Sequence, residues 1–163
     1  MKSKAKTKAG KVLIESRQTL VKPDRAGLRR DVRRILDLLG SCGREVSLLL
    51  IDDEGIRAIN REYLRRDRPT NVISFSLSEG DFGGVNPGVL GDVVVSVETA
   101  EREARAAKIP VGDAILHLVL HGILHLTGFD HEGRRGAPRA RIMSAVQEAV
   151  FYELRGYRLN VTL

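Results

Sequence analysis

The segment HGILHLTGFDH, residues 121–131, restricts the fold more than any other part of the chain. His121 and His125 are four residues apart in an apolar run, and four residues make about 1.1 helical turns, so both imidazoles lie on one face. Gly128 can end this helix in a left-handed conformation and turn the chain back, which places His131 near the first two histidines. Three imidazoles with an open fourth position are typical of a catalytic zinc site. The segment therefore predicts a hydrolytic metalloenzyme that binds one Zn²⁺ per chain, with a metal-activated water at His121.

The helix that carries these histidines is predicted from Asp113 to Thr127 and is apolar nearly all round, so we expect it to be buried at the centre of the molecule. His117 shares the face of His121 and His125. Buried imidazoles cost free energy unless a partner satisfies them, and a metal does so for the rings that bind it. We predict that His117 supports the ligands without binding the metal, although its position also suits a ligand or a substrate contact.

Carboxylates near the histidines are candidates for supporting roles. Asp130 either orients a ligating imidazole through its other ring nitrogen or is a turn residue that bonds its own backbone. Asp92 is also predicted to support the ligands without binding the metal. Asp92 and Glu132 are also weak candidates for a general base. A zinc-bound water with a pKa near 7 has less need of one.

The spacing H-x-x-x-H-x-x-G-x-x-H matches the zinc signature of metzincin proteases. Those proteases need a glutamate directly after the first histidine as their general base. Here that residue is Gly122, which cannot activate water. The metal ligands of a protease are therefore present without its base, and a zinc metalloprotease remains an alternative function.

Composition limits the class of protein. A length of 163 residues predicts a single domain, with residues 1–11 as a basic flexible tail and residues 12–163 as the folded part. The net charge of +6 favours a polyanionic partner. Cys42 is the only cysteine, which excludes an intrachain disulfide and fits a reducing compartment. The apolar run 115–126 is too short to cross a bilayer. We expect a cytoplasmic, monomeric protein that does not contact a membrane.

The remaining segments alternate between strand-like and helical patterns. The predicted strands are residues 12–19, 45–51, 72–77 and 90–96, and the predicted helices are residues 23–39, 53–64, 97–107, 113–127 and 138–155. We expect the last helix to pack through Ile142, Val146, Ala149 and Val150. Residues 65–69 form a charged connector, and residues 78–89 a flexible loop. This pattern predicts an α+β (mixed α/β) single domain, in which five or so helices cover a mixed sheet of about four strands.

Three stretches resemble the YbeY family of bacterial endoribonucleases. HGILHLTGFDHE is similar to that family's HGxLHLxGYDH signature, residues 60–75 to its second motif, and residues 90–96 to the strand before its helical half. The resemblance covers roughly residues 45–155. It implies a single-domain fold with a mixed sheet, and a metal bound by His121, His125 and His131. It also implies cytoplasmic cleavage of RNA, notably at the 3′ end of small-subunit ribosomal RNA, a role in ribosome quality control, and ribosomal subunits and assembly factors as partners.

The chain departs from the family at two positions. Many members have arginine after the aromatic residue of the second motif, where this chain has Leu64 after Tyr63. Arg65 and Arg66 are candidates to supply, as catalytic residues, the positive charge of the arginine that Leu64 replaces. Many members also have proline after the Ser-Phe pair, where this chain has Ser76.

The resulting hypothesis is metal-assisted hydrolysis of single-stranded RNA, with zinc as Lewis acid and source of hydroxide. Neighbouring phosphates would be held by Arg61, Arg65, Arg66 and Arg68, although a solvated helix end would have the same composition. A second alternative is a ribosome assembly factor whose zinc is largely structural.

Overall fold

The computed structural model of the protein describes residues 10–78, 85–129 and 136–159. Within these ranges the chain forms four strands and five helices. In order they are β1 (Val12–Ser16), α1 (Arg25–Leu38), β2 (Glu45–Ile51), α2 (Asp53–Leu64), β3 (Val72–Ser76), β4 (Val89–Ser96), α3 (Val97–Ala107), α4 (Val111–Leu126) and α5 (Gly136–Arg155). The α+β fold with a four-stranded mixed sheet is therefore confirmed.

The sheet has the strand order β1-β2-β4-β3. Strands β1, β2 and β4 are parallel, and β3 pairs antiparallel with β4 at one edge. The sequences of the two central strands, β2 and β4, are nearly continuous apolar runs. Such runs are expected because central parallel strands are covered by other elements on both faces of the sheet. Strand β3 brings Ser74 opposite Val93, directly beneath the histidine-bearing helix.

Helix α4 lies at the centre of the larger core, as its composition predicts. It contacts α1, α3 and α5 as well as strands β3 and β4. Its side chains Leu116, Leu120, Ile123 and Leu124 are fully buried together with Val93 and Val95 of the sheet. A smaller cluster on the opposite face of the sheet joins Ile51, Ile73 and Val94 to Ile56 of α2. The sheet therefore separates two apolar layers, and the histidines belong to the α4 layer.

Side-chain caps begin three of the helices. Asp24 accepts a hydrogen bond from the Gly27 amide, and Asp52 accepts one from the Gly55 amide. Ser96 Oγ accepts from the Thr99 amide at 3.2 Å, so the buried strand β4 passes directly into α3. Such caps satisfy amides that have no partner within the helix.

Two predicted boundaries near the N-terminus are corrected. Gly10 is already buried, and an added Cβ there would lie 1.9 Å from the Arg44 carbonyl oxygen. The folded part thus starts before residue 12, while residues 1–9 of the predicted tail lie outside the described residues. Strand β1 ends at Ser16 instead of residue 19, because the Gln18 amide bonds both the backbone N–H and carbonyl of Val21 and closes a turn.

The end of α5 is fastened to two other helices by one charged network. Arg155 donates to Asp31 of α1 at 2.7 Å and to Asp113 of α4 at 2.6 Å. The Tyr157 hydroxyl also donates to Asp113, and burial followed by that hydrogen bond raises the pKa of Tyr157 to about 12. This network fixes α5 along the side of α4 that carries the histidines.

No single helix in the described ranges is long and apolar enough to span a bilayer. Helices α3 and α4 reach that length and hydropathy only when they are taken together, across a bend of 116°.

Candidate metal centre and adjoining groove

His121 and His125 face each other in the last two turns of α4. Their Nε2 atoms are 3.2 Å apart, and the rings meet edge to face with centroids 4.9 Å apart. In a tetrahedral zinc site with Zn–N distances of 2.0–2.1 Å, neighbouring ligand nitrogens are separated by about 3.3 Å. The two imidazoles therefore already have the spacing of two corners of such a site.

The turn after α4 forms as the sequence predicts. Gly128 has a φ of +96°, and the Phe129 amide donates to the Leu124 carbonyl at 3.0 Å, which is the bond pattern that closes a helix at glycine. The next residues, including Asp130, His131 and Glu132, lie outside the described residues. Within the described ranges no three His, Cys, Asp or Glu side chains converge on one point. His131 as third ligand and Asp130 as a support for a ligating imidazole therefore stay predictions.

Gln147 of α5 connects His117 to His121. Its Oε1 lies 3.0 Å from His121 Nδ1, and its Nε2 lies 2.9 Å from His117 Nε2. Burial, with a further contribution from His121, lowers the pKa of His117 to about 4, so His117 is neutral at physiological pH. His117 thus reaches His121 through an amide, which is compatible with the supporting role predicted for it.

Gln147 itself was missed by the sequence analysis. The buried stripe of α5 is Met143, Gln147, Val150 and Phe151, whereas Ile142 is 58% exposed. Val150 is buried and Val146 packs against the core as predicted, but the face as a whole is rotated by about one residue. A glutamine midway between buried Met143 and Phe151 was the available signal, because a polar side chain in an apolar stripe needs a partner.

Gly122 separates this site from that of a metzincin protease. A Cβ at this position would lie 2.5 Å from Val93 Cγ1 and 3.3 Å from Ser74 Oγ. The position directly after the first histidine thus points into the sheet, and Ser74 Oγ donates to the Gly122 carbonyl at 3.2 Å. A glutamate would find no room there, so the packing as well as the sequence opposes the protease alternative.

This close approach makes a testable prediction. We expect Gly122→Ala to lower the free energy of unfolding by about 1–3 kcal/mol, because β-branched Val93 cannot move aside without disturbing the core. Gly112→Ala, on the same helix, is the control, since an added Cβ there meets nothing within 4 Å. It should be neutral or stabilise by up to about 1 kcal/mol through helix propensity. Urea unfolding of both variants is the measurement, and equal effects would contradict the packing argument.

An open groove of about 710 Å³ runs past the two histidines. One wall is the end of α4, and the other is the connector from α2 to β3 together with β3 itself. Its polar lining residues besides the histidines are Asn60, Arg66, Arg68, Thr70, Asn71, Ser74 and Ser76. Phe129 adds an aromatic residue to the same lining.

The connector is held in place by Asn60, which is 2% exposed. Its side-chain Nδ2 donates to the Arg68 carbonyl at 2.8 Å, and its backbone carbonyl accepts from the Arg66 backbone amide at 3.2 Å. Arg66 and Arg68 are thereby presented to the groove from a fixed backbone. Two of the four arginines predicted to bind RNA thus share a surface with the histidines.

The other two arginines occupy different places. Arg61 and Arg65, although both are described, are not among the residues that line the groove. Arg61 lies 3.9 Å from the Asp67 carboxylate, and Arg65 ends α2 in a left-handed conformation with φ of +58°. The groove is lined by Leu64, which stands where many family members have arginine, and also by Arg66. Of the two arginines predicted to replace that positive charge, Arg66 is therefore the one that lies at the groove.

Asp92 requires a correction. It pairs with Phe75 across strands β3 and β4 and lines a separate cavity with Leu49 and Tyr63, on the sheet face away from α4. Side chains alternate along a strand, so Val93 takes the place that faces the histidine helix. Asp92 is therefore neither a support for the ligands nor a base at this site.

Comparison with known proteins agrees with the fold and the motifs. A family model described as Endoribonuclease YbeY matches residues 13–155, so the match reaches back beyond residue 45 to include β1 and α1. An Endoribonuclease YbeY from Syntrophus aciditrophicus is 47% identical over 91% of this chain and 92% of the relative. Those from Geobacter metallireducens and Aquifex aeolicus are 48% and 35% identical, over 86% and 97% of this chain and 93% and 95% of their own.

A solved structure has a similar fold. The solution structure of TM1509 from Thermotoga maritima superposes with a TM-score of 0.61 at 25% identity, covering 90% of this chain and 89% of that one. The family model and the relatives each span most of the sequence. The chain therefore belongs to the YbeY family of endoribonucleases.

Proposed function

We propose that this protein is a zinc-dependent endoribonuclease, specific for single-stranded RNA, that matures ribosomal RNA at the 3′ end of the small-subunit RNA. The observation that carries the proposal is one shared surface: two imidazoles with the spacing of zinc ligands open into the same groove as two arginines. A metal centre beside arginines on a fixed backbone is suited to phosphodiester chemistry, since both stabilise negative charge on phosphate.

His121 and His125, with His131 as predicted third ligand, would hold the metal. Bound zinc lowers the pKa of a coordinated water and polarises a phosphoryl oxygen. The chain's own residues position the RNA. Arg66 and Arg68 bind backbone phosphates, and their fixed connector holds the scissile bond near the histidines.

The lining of the groove favours a single strand over a duplex. Arg66 and Arg68 would bind phosphates, and Phe129, which also lines the groove, offers a ring on which an unpaired nucleobase can stack. A positive wall combined with an aromatic platform is the usual arrangement for binding single strands without sequence preference.

The biological setting follows from the family resemblance and is part of the proposal. We place the protein in the cytoplasm, with ribosomal RNA, ribosomal subunits and assembly factors as partners, and give it a role in ribosome quality control. The net charge of +6 supports a polyanionic substrate.

Cleavage assays with the zinc-loaded, full-length protein test the proposal. We expect one zinc per chain by elemental analysis, cleavage of single-stranded ribosomal RNA, and no cleavage of casein or of the same RNA annealed to its complement. Cleavage of casein would favour the protease, despite the packing at Gly122. Intact RNA in the presence of bound zinc would instead favour the assembly factor with a structural metal.

A further inference from the structure

We propose that Gln147 is a positioning residue that holds His121 in the one tautomer able to bind metal through Nε2. The proposal rests on the zinc site inferred above. It extends that site to a residue of α5, which lies 26 positions further along the chain from His121.

The orientation of the Gln147 amide is decided by a backbone group. Its Nε2 lies 3.3 Å from the His117 carbonyl oxygen, which can only accept a hydrogen bond. The atom facing this carbonyl must therefore be the amide NH₂, and the same NH₂ also faces the His117 ring at 2.9 Å. With the nitrogen committed to His117, the Oε1 must be the atom that faces His121.

This orientation determines the tautomer of His121. An amide oxygen only accepts hydrogen bonds, so His121 Nδ1, 3.0 Å away, must carry a proton and donate it. In a neutral imidazole the other nitrogen then keeps its lone pair. That nitrogen, Nε2, is the atom 3.2 Å from His125 Nε2, where the metal would be bound.

The surroundings keep Gln147 from rotating away. Its side chain is 6% exposed, and buried Met143 and Phe151 stand one turn to either side on α5. The rings of Phe151 and His117 pack edge to face with centroids 5.6 Å apart. Arg155 then anchors the end of the helix to Asp31 and Asp113. The hydrogen-bond acceptor for His121 is therefore presented in advance, which is how outer partners of metal-binding histidines raise metal affinity.

Two variants separate this role from simple packing. Gln147→Leu removes the acceptor, and we expect its zinc dissociation constant to rise about 10–100-fold. Gln147→Glu retains an acceptor for Nδ1–H and, as a protonated carboxyl, a donor toward His117, so its zinc dissociation constant should stay within about threefold of the wild type. Val150→Ala, which loosens the same helix face, is the control: it should lower stability while zinc affinity is unchanged. Zinc affinity is measured by competition with a chromophoric chelator.

A spectroscopic measurement tests the tautomer without depending on zinc. Long-range ¹H–¹⁵N spectra of the chelator-treated full-length protein should show His121 protonated at Nδ1 in the wild type, and this preference should be lost in Gln147→Leu. Protonation at Nε2 in the wild type would overturn the proposal, as would a Gln147→Leu protein that binds zinc as tightly as the wild type. A wild type that shows the Nδ1–H tautomer but binds no zinc would refute the proposed metal site and leave the role of Gln147 in orienting His121 intact.

Discussion

Replacing His121 with alanine should abolish zinc binding and lower the rate of RNA cleavage by about 10³-fold or more. The variant loses one of the imidazoles whose Nε2 atoms are spaced as zinc ligands. Metal-assisted stabilisation of a phosphoryl transition state is worth several kcal/mol, and about 4 kcal/mol corresponds to a factor of about 10³. Elemental analysis and single-turnover cleavage of a labelled single-stranded RNA are the measurements.

Thr127→Val is the matched control for this experiment. Thr127 Oγ1 donates to the Ile123 and Leu124 carbonyls at the same end of α4, but it does not line the groove. The control should lose some stability while it retains zinc and activity. If His121→Ala protein that contains no zinc still cleaves RNA at the wild-type rate, the metal mechanism is wrong.

Local sequence patterns predicted the end of α4 that carries His121 and His125. The four-residue spacing of His121 and His125 sets their common face by helical geometry alone, and Gly128 closes the helix through a conformation that glycine adopts easily. The burial of α4 also follows from its own composition, because a helix that is apolar all round must be covered. Each of these features depends only on residues within a few positions of one another.

The features that sequence reasoning missed depend on contacts between distant segments. The face of β4 that meets α4 is set by strand register, so whether Asp92 or Val93 points to the histidines could not be read from the strand alone. Gln147 reaches His121 only because α5 lies along α4 in one rotation, and the predicted stripe was displaced by about one residue. Among the arginines, the turn at Arg65 and the hydrogen bonds of Asn60 decide which side chains reach the groove.

The two groove arginines give the second large expected effect. The double variant Arg66→Ala/Arg68→Ala should weaken binding of single-stranded RNA by about ten- to thirtyfold at physiological salt. It should also make the slope of log K against log salt less steep by about 1.4, because each phosphate contact to a single strand contributes about 0.7. Zinc affinity should be unchanged, since neither arginine is among the predicted metal ligands. Fluorescence anisotropy at several salt concentrations measures both quantities.

A control of equal charge makes this result specific to the groove. Arg34 and Arg158 are 53% and 66% exposed and form surface ion pairs with Glu153 and Glu148. Arg34→Ala/Arg158→Ala also removes two positive charges, so a general effect of net charge would weaken RNA binding equally in both double variants. Long-range attraction between exposed charges is largely screened beyond about 8 Å at physiological salt, whereas a direct phosphate contact is not. A larger loss for the groove pair therefore locates the RNA backbone along Arg66 and Arg68, and equal losses would remove the groove from the RNA-binding surface.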